Sequence, residues 1–178
     1  MLKIKIYGVG GQGVITAAKV IARAVGVYEN KYVKIMPAYG HEQRGAAVHV
    51  DIMISEEEIL SNSFVYTPDV VVVLDTMIKE KGIDIKKGTH KSSVLIMNTT
   101  SSIVAMQWEF PTTYWVDATG IANRTIGSNI PNIAILGAIA KVGIVSIEAI
   151  KESCEYYFCN KSIFKEMVNI AYGDTRQC

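Results

Sequence analysis

The stretch "YGVGGQGVI" places four glycines within the six residues Gly8 to Gly13, with Gln12 between the last two. Gly8, Gly10 and Gly13 satisfy the spacing G-x-G-x-x-G, directly after an apolar alternation at Ile4 and Ile6 and before a helical pattern. Glycines so placed let backbone N–H groups converge on one concavity at a helix start, where the dipole adds about half a positive charge. That is chemistry for holding phosphate. Tight strand-to-helix packing demands the same residue type, and both readings stand at this point.

A second concentration of functional side chains is "PAYGHEQRGAAVH", where Tyr39, Gly40, His41, Glu42 and Arg44 follow the second apolar strand pattern. In an open α/β sheet such a loop lies at the carboxyl edge, beside the first glycine loop. Arg44 offers a fork of donors for phosphate or carboxylate, and Glu42 can orient it or titrate. An ion pair between Glu42 and Arg44 that only holds the loop accounts for the same two residues.

Other chemistries find less support. A dinucleotide fold usually carries a carboxylate about 20 residues after the glycines, at the end of strand two, for the ribose hydroxyls. Glu29 precedes that strand, and the strand ends at Met36-Pro37 without an acid, so weak nicotinamide binding is expected. Lys34 or Arg44 would suit a phosphorylated ribose instead. His49 falls on the polar face of a strand and His90 in a loop, with no nucleophile elbow, so a hydrolase triad is not supported. Cys154, Cys159 and Cys178 lack CxxC spacing and supply too few ligands for a cluster or structural zinc; they read as free, inert thiols. Trp108 and Trp115 read as packing residues.

The elements that must position these residues follow from periodicity. Strand one is Lys3 to Tyr7. The helix after the glycines carries Val14, Ala17, Ala18, Ile21, Ala24 and Val25 at i, i+3, i+4 spacing, ending at Gly26. "KYVKIMP" is strand two, halted by Pro37, and "AAVHVDIMIS" is strand three, with Val48, Val50, Ile52 and Ile54 on its apolar face. Ser55 and Glu58 form a capping box, which makes "EEE" a helix N-terminus. "PDVVVVLD" reads as a strand buried on both faces, "SSVLIMNTT" and "TTYWVDAT" as two more, and Gly82 to His90 as a polar connection. Helices follow from Asn132: "NIAILGAIAKVG", then one capped by Ser146, then "SIFKEMVNIAYG". This order predicts an α/β fold, a single Rossmann-like three-layer domain over residues 1–178. Its sheet is mixed and mostly parallel, because strands two and three are adjacent, and its C-terminal part is helical.

Composition agrees with one domain. The 178 residues carry a net charge of +1 and 20% charged side chains, so no polybasic face points to nucleic acid. Although 49% of residues are hydrophobic, Lys141 and Glu148 interrupt the longest apolar stretch, and no membrane span is expected. Met1-Leu2-Lys3 runs straight into the first strand with no room for a signal peptide, so a cytoplasmic chain is expected.

Taken in order and spacing, "GVGGQGVITAAKVIARA", "PAYGHEQRGAAVHVDIMIS" and "PDVVVVLD" resemble the gamma chain of the pyruvate and other 2-oxoacid:ferredoxin oxidoreductases. "GSNIPNIAILGAIAKV" is similar to that family's asparagine-containing helix start, which adds Asn132 to the site. The resemblance runs from Gly8 to about Gly143 and implies a subunit of an enzyme that decarboxylates a 2-oxoacid oxidatively to an acyl-coenzyme A. It further implies thiamine diphosphate and iron–sulfur clusters on partner alpha, beta and possibly delta chains, with ferredoxin as electron acceptor. Coenzyme A is the cofactor associated with the gamma domain itself. On this reading Gly8, Gly10, Gly11, Gln12, Gly13, Tyr39, Gly40, Glu42, Arg44 and Asn132 form its binding residues. The chain departs from the family's common pattern at His41, often proline, and at Ala46, often glycine. An independent nucleotide- or flavin-binding oxidoreductase and a purely structural subunit are the alternatives.

Overall fold

The computed structural model describes residues 1–38, 46–159 and 162–178. Tyr39, Gly40, His41, Glu42 and Arg44 lie outside the described residues. Seven strands form one sheet in the order β2-β3-β1-β4-β5-β6-β7. They are β1 (Leu2–Val9), β2 (Tyr32–Ala38), β3 (Ala47–Ser55), β4 (Val70–Val73), β5 (Val94–Asn98), β6 (Thr112–Val116) and β7 (Arg176–Gln177). β1, β4, β5 and β6 run parallel, while β3 lies antiparallel between β1 and β2, and β7 lies antiparallel to β6. The mixed sheet expected from adjacent strands two and three is therefore present, and its parallel centre is the hydrophobic run Val70–Val73, buried throughout.

Alternation along β1 and β3 sorts side chains onto two faces. Ile4, Ile6, Val50, Ile52 and Ile54 join the large core beneath the helices, and Tyr7 belongs to a smaller one on the opposite face. The helices of the large core are α1 (Val14–Arg23), α3 (Ala118–Ile126), α4 (Ile135–Lys141), α5 (Ile147–Tyr157) and α6 (Ser162–Asp174). The smaller core is roofed by the short α2 (Ser102–Met106), a 3₁₀ turn at Thr76–Ile78 and the connections around them. Trp108 and Trp115 pack there, as expected of packing residues.

Several local expectations are corrected. The first helix does not end at Gly26: it continues as a π-helical turn over Ala24–Tyr28, with Ala24 and Val25 buried. β2 runs through Pro37, which faces Val50 across the ladder; on an edge strand a missing N–H is tolerated. The capping box at Ser55 starts no helix. The Ser55 hydroxyl accepts a bond from Glu57 N at 3.2 Å, but the chain stays irregular up to β4 and Leu60 is 80% exposed. The physical reason is the absence of an apolar face: Ile59 and Leu60 are followed by Ser61, Asn62 and Ser63, so a helix here would have nothing to dock. The connection over Gly82 to His90 is not wholly polar, because Ile85 is fully buried in the smaller core. α2, α3 and β7 are elements beyond those expected. α3 is signalled by Asp117, whose carboxylate accepts from Gly120 N at 2.8 Å, and by Gly127 at φ +65° past its end.

Candidate functional site at the carboxyl edge of the parallel strands

β1 delivers the glycine loop to the carboxyl end of the parallel strands between β3 and β4, where the β1–β2 and β3–β4 connections run in opposite directions along the sheet; ligands of open α/β sheets bind at such a switch point. The flanks of residues 39–45 reach the same edge. β2 ends at Ala38, paired with His49, and Ala46 O accepts a hydrogen bond from Gly10 N at 2.8 Å.

Within the loop each glycine has a different reason. A Cβ on Gly8 would stand 2.6 Å from the Val14 side chain, and one on Gly13 would stand 2.2 Å from Asn132 Nδ2. Both glycines are therefore required by packing, and Gly13 also takes φ +73° as the residue that opens α1. Gly11 takes φ +99° and faces open space. It borders a cleft of 280 Å³ shared with Gly13, Thr16, Ser128 and Asn132 and closed by Phe164.

Hydrogen bonding narrows the anion nest expected from the glycine spacing. Gly10 N is committed to Ala46 O, and Gln12 N donates to Val9 O at 3.1 Å. Gln12 Oε1 accepts from Val9 N at 2.9 Å, and its Nε2 donates to the Asp75 carboxylate. Gly10 and Gln12 thus stabilise the loop rather than offer donors to a ligand. An anion is favoured only toward Gly11, Gly13 and the first turn of α1, because the Asp75 carboxylate sits on the other side. Asn132, brought here from 119 residues away, donates to Gly13 O at 3.4 Å. Asn132, placed in the site by the resemblance alone, thus touches the glycine loop, although α4 itself begins only at Ile135.

Asp75 is a carboxylate at this edge that sequence reading did not single out. Its signal was the acid closing "VVVVLD", which read only as a strand boundary. It lines a second cleft of 360 Å³ with Gln12, Thr99, Asp117, Thr119 and Asn129, a set of carboxylates, hydroxyls and amides suited to sugar hydroxyls. Lys34 does not reach this edge for a phosphorylated ribose: its ammonium holds Ser61 O at 2.6 Å and the Asn62 side chain.

The second face of β3 is also not the solvated polar face expected. Asp51 is fully buried, with Lys5 Nζ 3.0 Å from Oδ1 and Val65 N donating to Oδ2 at 2.7 Å. His49 stands beside this pair. Its burial first, and the Lys5 cation second, hold its pKa below the ordinary value of 6.5. Burial and the Asp51 and Asp84 carboxylates push the Tyr7 phenol up to about 12. Cys154 is buried and its thiol is pushed up to about 12, whereas Cys159 and Cys178 are exposed. Among the described residues no three His, Cys, Asp or Glu side chains converge for a metal, and no helix is long and apolar enough to cross a membrane.

A glycine loop after the first strand of a mixed, mostly parallel sheet, opening the first helix, defines a Rossmann-like α/β domain. The chain belongs to the family described as pyruvate ferredoxin/flavodoxin oxidoreductase, which it matches over residues 3–171. Within it the relatives are gamma subunits. The chain is 39% identical over 163 residues to the pyruvate/ketoisovalerate oxidoreductases common subunit gamma of Pyrococcus abyssi, covering 89% of this chain and 87% of the relative. It is 37% identical over 154 residues to pyruvate synthase subunit PorC of Methanocaldococcus jannaschii, covering 86% and 84%. The crystal structure of pyruvate oxidoreductase subunit PORC from Thermotoga maritima superposes with a TM-score of 0.85 at 31% identity, over 99% of this chain and 97% of that one.

Proposed function

We propose that this chain is the gamma subunit of a multi-subunit 2-oxoacid:ferredoxin oxidoreductase, which converts a 2-oxoacid such as pyruvate, with coenzyme A, into an acyl-coenzyme A and carbon dioxide. Its own part is to hold the phosphates of coenzyme A and to seat the subunit in the complex. The relatives' names support the reaction class, since they are subunits of pyruvate and ketoisovalerate oxidoreductases. The observation that carries the coenzyme A assignment is Gly11, whose missing side chain serves no packing and leaves open the cleft at the first turn of α1. Arg44, in the adjoining segment, is the guanidinium that supplies the second charge. Thiamine diphosphate and iron–sulfur clusters belong to alpha, beta and delta partners, and ferredoxin receives the electrons through them. The complex works in the cytoplasm.

The rival reading, a structural subunit whose glycines serve only packing and backbone conformation, is favoured by Gly8, Gly13 and the left-handed backbone of Gly11, while the open space beside Gly11 favours a ligand. Steady-state kinetics of the assembled enzyme separate the two. Gly11→Val obstructs the cleft, and Arg44→Ala removes a charge-assisted bond worth roughly 1.5–3 kcal/mol. Each should raise the KM for coenzyme A about tenfold while leaving that for the 2-oxoacid unchanged. Unaltered coenzyme A kinetics in both variants, with normal assembly, would establish the structural reading.

A further inference from the structure

On the face of the sheet away from α1, a cavity of 530 Å³ lies at the β1–β3 end, separate from the two clefts above and bordered at Ala38 by the end of β2. Its volume falls in the range of small-molecule sites, about 300–1,000 Å³. The floor is made by two cross-strand pairs, Lys5 opposite Asp51 and Tyr7 opposite His49. Phe64 and Tyr66, from the irregular chain between β3 and β4, form one wall, and Asp84 and Lys87 stand at the opposite rim.

Three properties of this cavity restrict what fits. First, aromatic faces converge on it. The Tyr7 and His49 rings are 5.6 Å apart and tilted by 40°, those of His49 and Phe64 6.5 Å apart and tilted by 58°, so the free face for stacking is that of Phe64, which with Tyr66 remains 42% and 73% exposed. Second, the floor is polar without net charge. Lys5 and Asp51 cancel, the Tyr7 phenol stays protonated and the His49 imidazole stays neutral at physiological pH. Third, the rim charges of Asp84 and Lys87 oppose each other, so neither an anion nor a cation gains over its opposite. An aliphatic ligand would bury the Tyr7 hydroxyl and the imidazole nitrogen without partners, which costs more than the apolar contact returns. A ring with a π-face and a donor–acceptor edge satisfies all three at once.

We propose that this cavity binds a flat, uncharged heteroaromatic ring, of which adenine is the type, stacked on the half-exposed Phe64 beside the His49 ring and hydrogen-bonded at its edge by the Tyr7 hydroxyl. The assignment does not rest on the coenzyme A reading, because no residue of the glycine loop or of α1 lines this cavity.

The test is titration of the full chain with adenosine, followed by calorimetry and by the NMR resonances of the His49 ring. Inorganic phosphate and ribose serve as probes of the non-aromatic parts of a nucleotide. Saturable adenosine binding that shifts the His49 resonances is expected, with no such response to ribose or phosphate. Phe64→Ala, at a half-exposed position, should weaken binding by roughly tenfold. Tyr7→Phe should weaken it several-fold, and Gly11→Val should leave it unchanged. Absence of saturation in the millimolar range would overturn the proposal, whatever coenzyme A does. So would adenosine binding that survives Phe64→Ala and is lost in Gly11→Val, because that result places the base at the glycine loop. The His49 resonances decide the matter on the wild-type chain even if a variant fails to fold.

Discussion

Removing Asp51 tests whether the ion pair beneath the sheet is as closed as its geometry indicates. Asp51 is fully buried and Lys5 is 9% exposed, with Lys5 Nζ 3.0 and 3.3 Å from the two carboxylate oxygens. Asp51→Ala deletes the only anion in contact with that ammonium among the described residues and also strips Val65 N of its acceptor. Leaving one partner of a buried pair uncompensated costs about 3–5 kcal/mol. The lost backbone bond adds about 1 kcal/mol. The Tyr7 ring, 6.0 Å from Nζ, returns only about 0.5–1 kcal/mol. Lys5 borders the open cavity and can lean toward water, so the lower end, about 3 kcal/mol, is expected. That is a large share of the roughly 5–15 kcal/mol by which domains are stable. The assay is urea unfolding of the purified chain, comparing Asp51→Ala with the double variant Lys5→Met, Asp51→Leu. Replacing both charges by apolar groups should recover most of the loss, since the desolvation cost disappears with them. A single variant destabilised by less than about 1 kcal/mol, or a double variant as unstable as the single, would refute the reasoning.

Gly13→Ala should cost about 2 kcal/mol or more, from the left-handed backbone at φ +73° plus displacement of Asn132, whereas Gly11→Ala should cost only the backbone strain; thermal melts of both rank them. Because the folded-state pKa of His49 is lowered, the unfolded chain takes up its proton first. Stability should therefore fall as pH drops from 6.5 through the folded pKa, and His49→Gln should remove that part of the slope in urea titrations at stepped pH. Iodoacetamide should modify Cys159 and Cys178 in the folded chain and reach Cys154 only on unfolding, since Cys154 is buried and its thiol is pushed up to about 12. Mass spectrometry counts the adducts, and rapid native modification of Cys154 would contradict its burial.

Local chemistry was enough to determine the glycine loop, the helix it opens, the fully buried Val70–Val73 strand and the Ser146 cap. Each depends on periodicity or on residues within one turn of each other, and α5 does begin with Ala149 N bonded to the Ser146 hydroxyl. The same local reading failed at "EEE", where a correct cap signal had no apolar face behind it, because helices of this length depend on docking. It failed also at Asp51, which alternation assigned to a polar face and which only the loop through Val65 and the opposing Lys5 on β1 enclose. Which N–H groups of the glycine loop stay available was a tertiary matter. Ala46 takes Gly10, Asp75 takes the Gln12 amide, and Asn132 arrives from 119 residues away to close on Gly13. Sequence spacing specifies which backbone conformations are possible. Which donors remain for a ligand depends on partners distant in the chain, and these meet only when the sheet has assembled.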